Sequence, residues 1–283
     1  MRVSVGDCRL FVDVEGLGLV PDGPTMRQRP TVLVLHGGPG FDHSSFKPDF
    51  GALSDVAQLV YVDHRGQGRS DRSEPEHWTF DQWADDLVAL CDTLEIVDPV
   101  VYGLSFGGMV AMHYAIRHPT HPGKVILDST SAHPDLANML PVFERLGGPE
   151  VREIARRFWE SGGSDAMAEY LTTCMPLYSR HRRPDAAEAQ ARSMETANMD
   201  LFLHWAAGEQ LSWDHRHDLD RIERPVLLLS GRDDPVTPVP CAELIAAAIG
   251  PELCTLETFD DCGHGVWRDR PDQAFDAMRR FIG

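Results

Sequence analysis

Short runs of apolar residues, separated by amphipathic stretches, organise the first half of the chain. Most runs are rich in Val and Leu and are apolar at successive positions, which is typical of strands buried on both faces of a parallel sheet. A further run, at 9–15, precedes them. The pattern predicts strands over 9–15, Thr31–Leu35, Gln58–Val62, 99–102 and 124–127.

Amphipathic patterns between and after these runs predict helices. Thr79 stands directly before one of them, and acidic residues in its first turns favour a helix start there. The predicted helices outside the middle of the chain are 80–90, 107–117, 241–249 and 272–281. Two further strands are predicted at 225–229 and 253–256. Such alternation is typical of an α/β fold with a mostly parallel sheet.

The segment 133–216 interrupts this alternation, because it contains no run typical of a strand. It reads as helical pieces over 151–159, 165–175 and 185–199, separated by breaks at Pro141, Gly147-Gly148 and Gly162-Gly163. We interpret it as a helical insertion in the sheet. Three tryptophans lie in it, at Trp159, Trp205 and Trp213. We expect them to pack the insertion, with an apolar substrate pocket as the alternative role.

The run G-L-S-F-G-G at 103–108 carries the strongest chemical signal. It follows a predicted strand and opens a predicted helix, which is the context that gives G-x-S-x-G meaning. The sharp turn presents the hydroxyl of Ser105 above the sheet, and small neighbours let the backbone pass. The sequence therefore predicts Ser105 as a nucleophile.

A serine hydroxyl needs a base to remove its proton, and the partners are expected later in the chain. His264 lies between two glycines after the last predicted strand, and it is the candidate base. Asp233 and Asp234 follow the strand before it, and both compete for the role of the acid. We favour Asp234, because Asp-Pro starts a tight turn, and expect Asp233 to cap the loop.

The run H-G-G-P-G at 36–40 follows another predicted strand. An oxyanion needs preorganised N–H donors. We expect one from Gly38, which lacks a side chain, and one from Phe106, directly after the nucleophile. His36 is expected to brace this loop. The Gly-rich run at 63–70 lacks the ending of a phosphate loop, and we expect Asp63, Arg65 and Arg69 to pair beneath the site.

Together the runs at 36–40, 63–70, 103–108, 231–234 and 263–264 resemble the α/β-hydrolase superfamily, nearest to its proline iminopeptidase-like branch. The resemblance implies an α/β-hydrolase fold, with a core over 1–132 and 217–283 and an α-helical cap over 133–216. It also implies a Ser-His-Asp triad and an acyl-enzyme.

Two features depart from the iminopeptidase pattern. The elbow lacks the G-G-S-W-G-[ST] form, and Pro235 stands where some relatives place a glutamate that grips the substrate amine. Cap glutamates serve the same purpose in the family, and Glu195 and Glu209 are the candidates here. The resemblance implies an aminopeptidase acting on a small peptide or amide. A carboxylesterase or lactonase acting on uncharged acyl substrates is the alternative.

Two other classes of function compete with hydrolysis on this fold. A non-enzymatic ligand receptor on this fold would keep the triad residues for binding, and labelling of Ser105 by a serine-reactive probe would argue against it. A haloalkane dehalogenase is disfavoured because it needs an aspartate in place of Ser105.

The composition of the chain disfavours some classes of binding partner. The net charge of −18 disfavours nucleic acid and anionic membranes. No run approaches the roughly 20 apolar residues of a membrane span, and the first residues lack a signal-peptide core, so we expect a cytoplasmic protein. The six cysteines lack disulfide or zinc spacing and are expected to be reduced. We expect no cofactor and no metal, including at 214–218. The sequence leaves a homo-oligomer open.

Overall fold

The computed structural model describes residues 1–163, 165–181, 184 and 186–283, without the side chains of Ala186 and Gln190. Its strands are Arg2–Val5 (β1), Cys8–Glu15 (β2), Leu19–Asp22 (β3), Thr25–Gln28 (β4), Thr31–Leu35 (β5), Gln58–Val62 (β6), Val100–Leu104 (β7), Lys124–Asp128 (β8), Val226–Gly231 (β9) and Cys254–Phe259 (β10). Its α-helices are Phe80–Leu94 (α1), Phe106–Arg117 (α2), Leu136–Gly147 (α3), Pro149–Glu160 (α4), Met167–Glu169 (α5), Ala186–Glu195 (α6), Met199–Ala207 (α7), Val239–Ile249 (α8), Val266–Asp269 (α9) and Pro271–Ile282 (α10).

Eight strands form one sheet in the order β1-β2-β6-β5-β7-β8-β9-β10. The pairs β1–β2 and β2–β6 are antiparallel, and every later pair in the sheet is parallel. The predicted α/β fold with a mostly parallel sheet is confirmed. The short strands β1, β3 and β4 were not predicted from the sequence; β4 is exposed along its length and lacks an apolar face.

Helices cover both faces of the sheet, because the buried strands are apolar on both sides. Leu33 and Leu35 of β5 face one core, which includes α1 and α2. Val32 and Val34 face the opposite core, which includes α10. The start of α1 follows the prediction, since the Thr79 side chain accepts the N–H of Gln82 and caps the helix.

Between β8 and β9 the described residues form helices and loops. We call residues 133–216 the cap segment, with the boundaries predicted from the sequence. Its own apolar cluster includes Phe143, Phe158 and Tyr170, and it extends to Val236 of the core.

Three predictions for the cap segment need correction. Pro141 does not separate helices but lies inside α3, whose start Asp135 caps. The predicted helix 165–175 is a three-residue α5 followed by a π-helical turn over Tyr170–Cys174. The predicted helix 185–199 is two helices, because α6 ends at Glu195 and α7 starts only at Met199. Asp185 lies outside the described residues.

All six cysteines are buried and unpaired. No helix among the described residues is long and apolar enough to cross a membrane.

His215 lies where the cap segment returns to the core, and its ring packs edge-on against Phe80 at 5.1 Å. Burial, together with the charge of nearby His113, lowers the pKa of His215 to about 4. The unfolded chain therefore binds a proton near pH 6.5 that the folded chain does not bind until about pH 4. Stability should fall as the pH falls through this window.

We expect acidification from pH 7 to pH 5 to lower the free energy of unfolding by about 2 kcal/mol more in the wild type than in His215→Phe. The phenyl ring keeps the apolar packing but cannot bind a proton. Denaturant unfolding at both pH values measures the difference. His217→Gln, at an exposed neighbouring histidine, is the control and should behave like the wild type. Equal acid sensitivity of wild type and His215→Phe would contradict the assignment.

Candidate active site

Ser105 lies at the turn between β7 and α2 in a strained backbone conformation. Its φ is +53° and its ψ is −116°, a region that non-glycine residues rarely adopt. The Ser105 N–H donates to the Asp128 carbonyl at 2.9 Å, and the Thr130 hydroxyl donates to the Ser105 carbonyl at 2.8 Å. These bonds hold the turn that the sequence predicted, with Ser105 half-buried at its tip.

Glycines beside Ser105 allow the close backbone approach that this turn requires. A Cβ on Gly103 would lie 2.3 Å from the Gly107 carbonyl oxygen. A Cβ on Gly107 would lie 2.4 Å from the Leu35 carbonyl oxygen at the end of β5. Neither distance is compatible with a side chain, so these positions fix α2 against the ends of β5 and β7.

Asp234 and His264 form a buried hydrogen-bonded pair at the ends of β9 and β10. His264 Nδ1 lies 2.9 Å from Asp234 Oδ2. Asp234 also accepts the N–H groups of Val236 and Thr237, at 2.8 and 2.9 Å. Burial favours a raised pKa for Asp234, but the charge and hydrogen bond of His264 and these N–H groups outweigh it, and the pKa lies below its usual value. The pair therefore favours an ionised Asp234 that orients the imidazole.

Asp233 is adjacent to Asp234 in sequence, but its side chain binds arginines and not His264. Its carboxylate forms ion pairs with Arg145 at 2.6 Å and with Arg180 at 3.6 Å. Its N–H donates to the Cys262 carbonyl at 2.8 Å, so its backbone ties the two loops of the site together.

The loop after β5 passes close to Ser105. A Cβ on Gly37 would lie 3.5 Å from the Ser105 Cβ, and Gly38 follows it with a φ of +142°. Phe106 is the first residue of α2, where a helix leaves its N–H groups without partners in the helix itself. Both residues predicted to bind an oxyanion are thus on segments that adjoin Ser105.

His36 braces this loop as a neutral ring. Burial lowers its pKa. Nδ1 lies 2.7 Å from the Gly37 carbonyl oxygen, and Nε2 accepts the His64 N–H at 3.4 Å. One tautomer satisfies both contacts, which fits a structural role.

Asp63, Arg65 and Arg69, which were predicted to pair beneath the site, each pair through the side chain with a residue outside 63–70. Arg65 forms a two-point ion pair with buried Asp86, and Arg69 pairs through its side chain with Asp42. Asp63 accepts hydrogen bonds from His43 and only the backbone N–H of Arg69. All three side chains are therefore paired, and their partners lie at positions distant in sequence that were not predicted.

The cap glutamates predicted to bind substrate lie in different surroundings. Glu195 ends α6 and is exposed, whereas Glu209 is half-buried at the start of a short turn after α7. The tryptophans of the cap segment pack against other side chains. The Trp205 ring centroid lies 5.7 Å from that of Phe106, and the Trp213 ring centroid lies 5.8 Å from that of Trp205. Trp159 donates to the Tyr170 hydroxyl at 3.0 Å.

Sequence reasoning missed Asp128 and Ser129, which hold the loop of His264. The Asp128 carboxylate accepts the Val266 N–H at 3.0 Å, and the Ser129 hydroxyl accepts the Gly265 N–H at 2.7 Å. Burial raises the pKa of Asp128. A polar pair directly after a buried strand was the available signal.

In the ranges that the structure describes, no group of three His, Cys, Asp or Glu residues is arranged to hold a metal ion. In the run at 214–218, Asp214 forms an ion pair with Arg216, with 2.6 Å between Oδ2 and Nη2.

The model of the family described as "alpha/beta hydrolase fold" matches residues 30–270. The chain belongs to the α/β-hydrolase fold family. The predicted assignment to the hydrolases is confirmed at this level, and so is the resemblance to the proline iminopeptidase-like branch.

The similar proteins are named for different activities. The chain is 27% identical over 283 residues to the proline iminopeptidase PfmaB of Pestalotiopsis fici, covering 96% of this chain and 98% of that protein. The crystal structure of a proline iminopeptidase from Mycobacterium smegmatis aligns with a TM-score of 0.78 at 22% identity, over 100% of this chain and 97% of that one. Est816, titled an N-acyl homoserine lactone degrading enzyme, aligns with a TM-score of 0.75 at 23% identity, over 99% and 100%. The two structural likenesses support the fold alone.

The backbone strain at Ser105 predicts how two substitutions there differ in their free energy of unfolding. Glycine adopts positive φ freely, whereas alanine keeps the strain that serine has. Relief of about 1–3 kcal/mol of strain exceeds the roughly 1 kcal/mol that glycine loses through its more flexible unfolded chain. We expect Ser105→Gly to be more stable than Ser105→Ala by about 1 kcal/mol, measured by denaturant unfolding. A less stable glycine variant would contradict the strained turn.

Proposed function

We propose that this protein is a serine hydrolase in which Ser105, His264 and Asp234 form a catalytic triad and cleavage proceeds through an acyl-enzyme. The observation that carries the proposal is the buried Asp234–His264 hydrogen bond, in a site where Asp128 binds both the loop after His264 and the strained turn of Ser105. We also propose that residues 1–132 and 217–283 form the catalytic core and that 133–216 form a cap over it.

The chemistry follows from the positions of these groups. Asp234 holds the Nδ1 side of His264, which leaves Nε2 to take the proton of the Ser105 hydroxyl as it attacks the acyl carbon. The N–H groups of Gly38 and Phe106 would stabilise the oxyanion, a contribution of about 3–4 kcal/mol per donor in comparable sites. His264 then gives the proton to the leaving group, and water cleaves the acyl-enzyme.

For the substrate, we propose first an aminopeptidase of the proline iminopeptidase type that releases an N-terminal residue from a small peptide or amide. Relatives covering nearly the whole chain bear that name. Of the two cap glutamates, half-buried Glu209 is better suited by its burial to bind an ammonium group than exposed Glu195.

Ester or lactone hydrolysis is the second candidate, and one observation favours it. The fully buried carboxylates of the described residues each accept hydrogen bonds already, and none of them lies in the cap segment; they are Asp42, Asp63, Asp86, Asp128, Asp234 and Asp269. An uncharged acyl substrate needs no free carboxylate.

Adjacent aspartates give a matched test of the acid. We expect Asp234→Asn to lower kcat by about 10³- to 10⁴-fold, because an amide cannot hold the required tautomer of His264. Asp233→Asn removes a neighbouring carboxylate of the same loop and should keep kcat within about threefold of the wild type. Steady-state kinetics on one ester substrate measures both. Equal losses in the two variants would contradict Asp234 as the acid.

A paired rate assay decides between the substrate classes. The substrates are a prolyl or alanyl arylamide with a free amine and a short p-nitrophenyl acyl ester, each tested on the wild type and on Ser105→Ala. An aminopeptidase should cleave the arylamide faster and lose that activity when the amine is blocked. Ester turnover alone would establish the second candidate. Turnover that survives in Ser105→Ala would overturn the triad itself.

A further inference from the structure

The backbone of the His264 loop is held at four successive N–H groups. The Gly265 N–H donates to the Ser129 hydroxyl and the Val266 N–H donates to the Asp128 carboxylate, at the end of β8. The His264 N–H donates to the carbonyl oxygen of Tyr178 at 2.6 Å, and Tyr178 belongs to the cap segment. The Gly263 N–H donates to Asp269 Oδ2 at 2.7 Å. The loop is therefore fixed from the core on one side and from the cap on the other.

Asp269 joins those two sides. Besides the Gly263 N–H, its carboxylate accepts three donors from the cap segment: the Ser179 hydroxyl at 2.5 Å, the Arg180 N–H at 2.9 Å and the His181 N–H at 3.1 Å. Each carboxylate oxygen takes two of the four donors. Asp269 is only 5% exposed, so water does not substitute readily for these bonds.

The cap and the loop approach each other more closely than side chains allow. A Cβ on Gly263 would lie 2.1 Å from the Tyr178 carbonyl oxygen. The Tyr178 ring also packs edge-on against the imidazole of His264, with 5.2 Å between ring centroids. Movement of the 178–181 segment would therefore move the contacts of both the backbone and the ring of His264.

We propose that Asp269 is a positioning residue for His264, because it fastens the 178–181 segment of the cap to the loop that carries the histidine. The inference rests on the proposed function of His264 as the catalytic base. In this arrangement the cap does more than enclose substrate. Its attachment sets the geometry of proton transfer, even for a substrate too small to contact the cap.

The principal variant is Asp269→Asn. Asparagine has nearly the same shape but only one acceptor oxygen, so one pair of the four donors faces an amide NH₂ instead. We expect kcat for a short p-nitrophenyl ester, or for the arylamide if only that is cleaved, to fall by about 10- to 100-fold, with KM within about threefold. Asp269→Glu keeps both acceptor oxygens and should recover part of the loss.

Asp261→Asn is the matched control. Asp261 is exposed and pairs with His181 at 2.9 Å and with Arg180 at 3.7 Å, the same cap residues that Asp269 binds. No hydrogen bond joins its carboxylate to the 263–266 backbone in the described structure, and its positive φ of +48° suits asparagine. This variant should retain wild-type kcat. All variants are assayed below their melting temperatures, with the folded fraction checked by circular dichroism.

Three results would overturn the inference: kcat of Asp269→Asn within threefold of the wild type, a raised KM with unchanged kcat, or an equal loss in Asp261→Asn. If Asp269→Asn does not fold, Gly263→Ala replaces it, because its Cβ displaces the cap segment and leaves Asp269 intact. The same loss of kcat is expected, and unchanged kcat would overturn the inference. Ser105→Ala separates the two proposals: activity surviving in it overturns the triad, whereas its inactivity beside a normal Asp269→Asn overturns only the role of Asp269.

Discussion

The strained turn at Ser105 depends on the register between β7 and β8. Leu104 is paired with Asp128 in that register, and this pairing brings the Ser105 N–H to the Asp128 carbonyl. A positive φ at a serine costs about 1–3 kcal/mol and persists only where the surroundings determine it. Here a parallel strand on one side and α2 on the other leave the turn no relaxed alternative.

Asp128 extends this constraint to the histidine. Its carbonyl holds the nucleophile turn, and its carboxylate accepts the Val266 N–H and, at 2.8 Å, the Tyr102 hydroxyl. The spacing between Ser105 and His264 thus depends on the position of one buried residue. Oδ1 of Asp128 accepts the Val266 N–H and the Ser129 hydroxyl, and Oδ2 accepts the Tyr102 hydroxyl. Through its carbonyl and its carboxylate together, Asp128 therefore ties two loops of the candidate site to the sheet.

Much of the fold could be predicted from the sequence, because continuous apolar runs and helix starts are local signals. Thr31–Leu35 and Gln58–Val62 were predicted with the observed bounds. The cap segment was predicted less well. Pro141 suggested a break, yet α3 continues through it, since the packing of Met139, Leu140 and Phe143 outweighs the lost hydrogen bond.

The candidate site also contains residues that local sequence predicts and residues that it does not. Ser105, Asp234 and His264 stand in recognisable local contexts, and the structure places Asp234 against His264. The partners of Asp63, Arg65 and Asp269 lie far along the chain, so no local pattern reveals them. Nor does the sequence indicate that Glu195 is exposed and Glu209 half-buried, because that depends on how α6 and α7 are oriented.

Two of the bonds that attach the cap segment to the rest of the chain join main-chain atoms alone. The Asn198 N–H donates to the Gly40 carbonyl at 2.7 Å, in the loop after β5, and the Tyr178 carbonyl accepts the His264 N–H at 2.6 Å. Such bonds are independent of side-chain identity. Side chains along α6 and α7 can therefore be exchanged while these two bonds persist, so the fold tolerates sequence change in the cap segment without losing these two points of attachment.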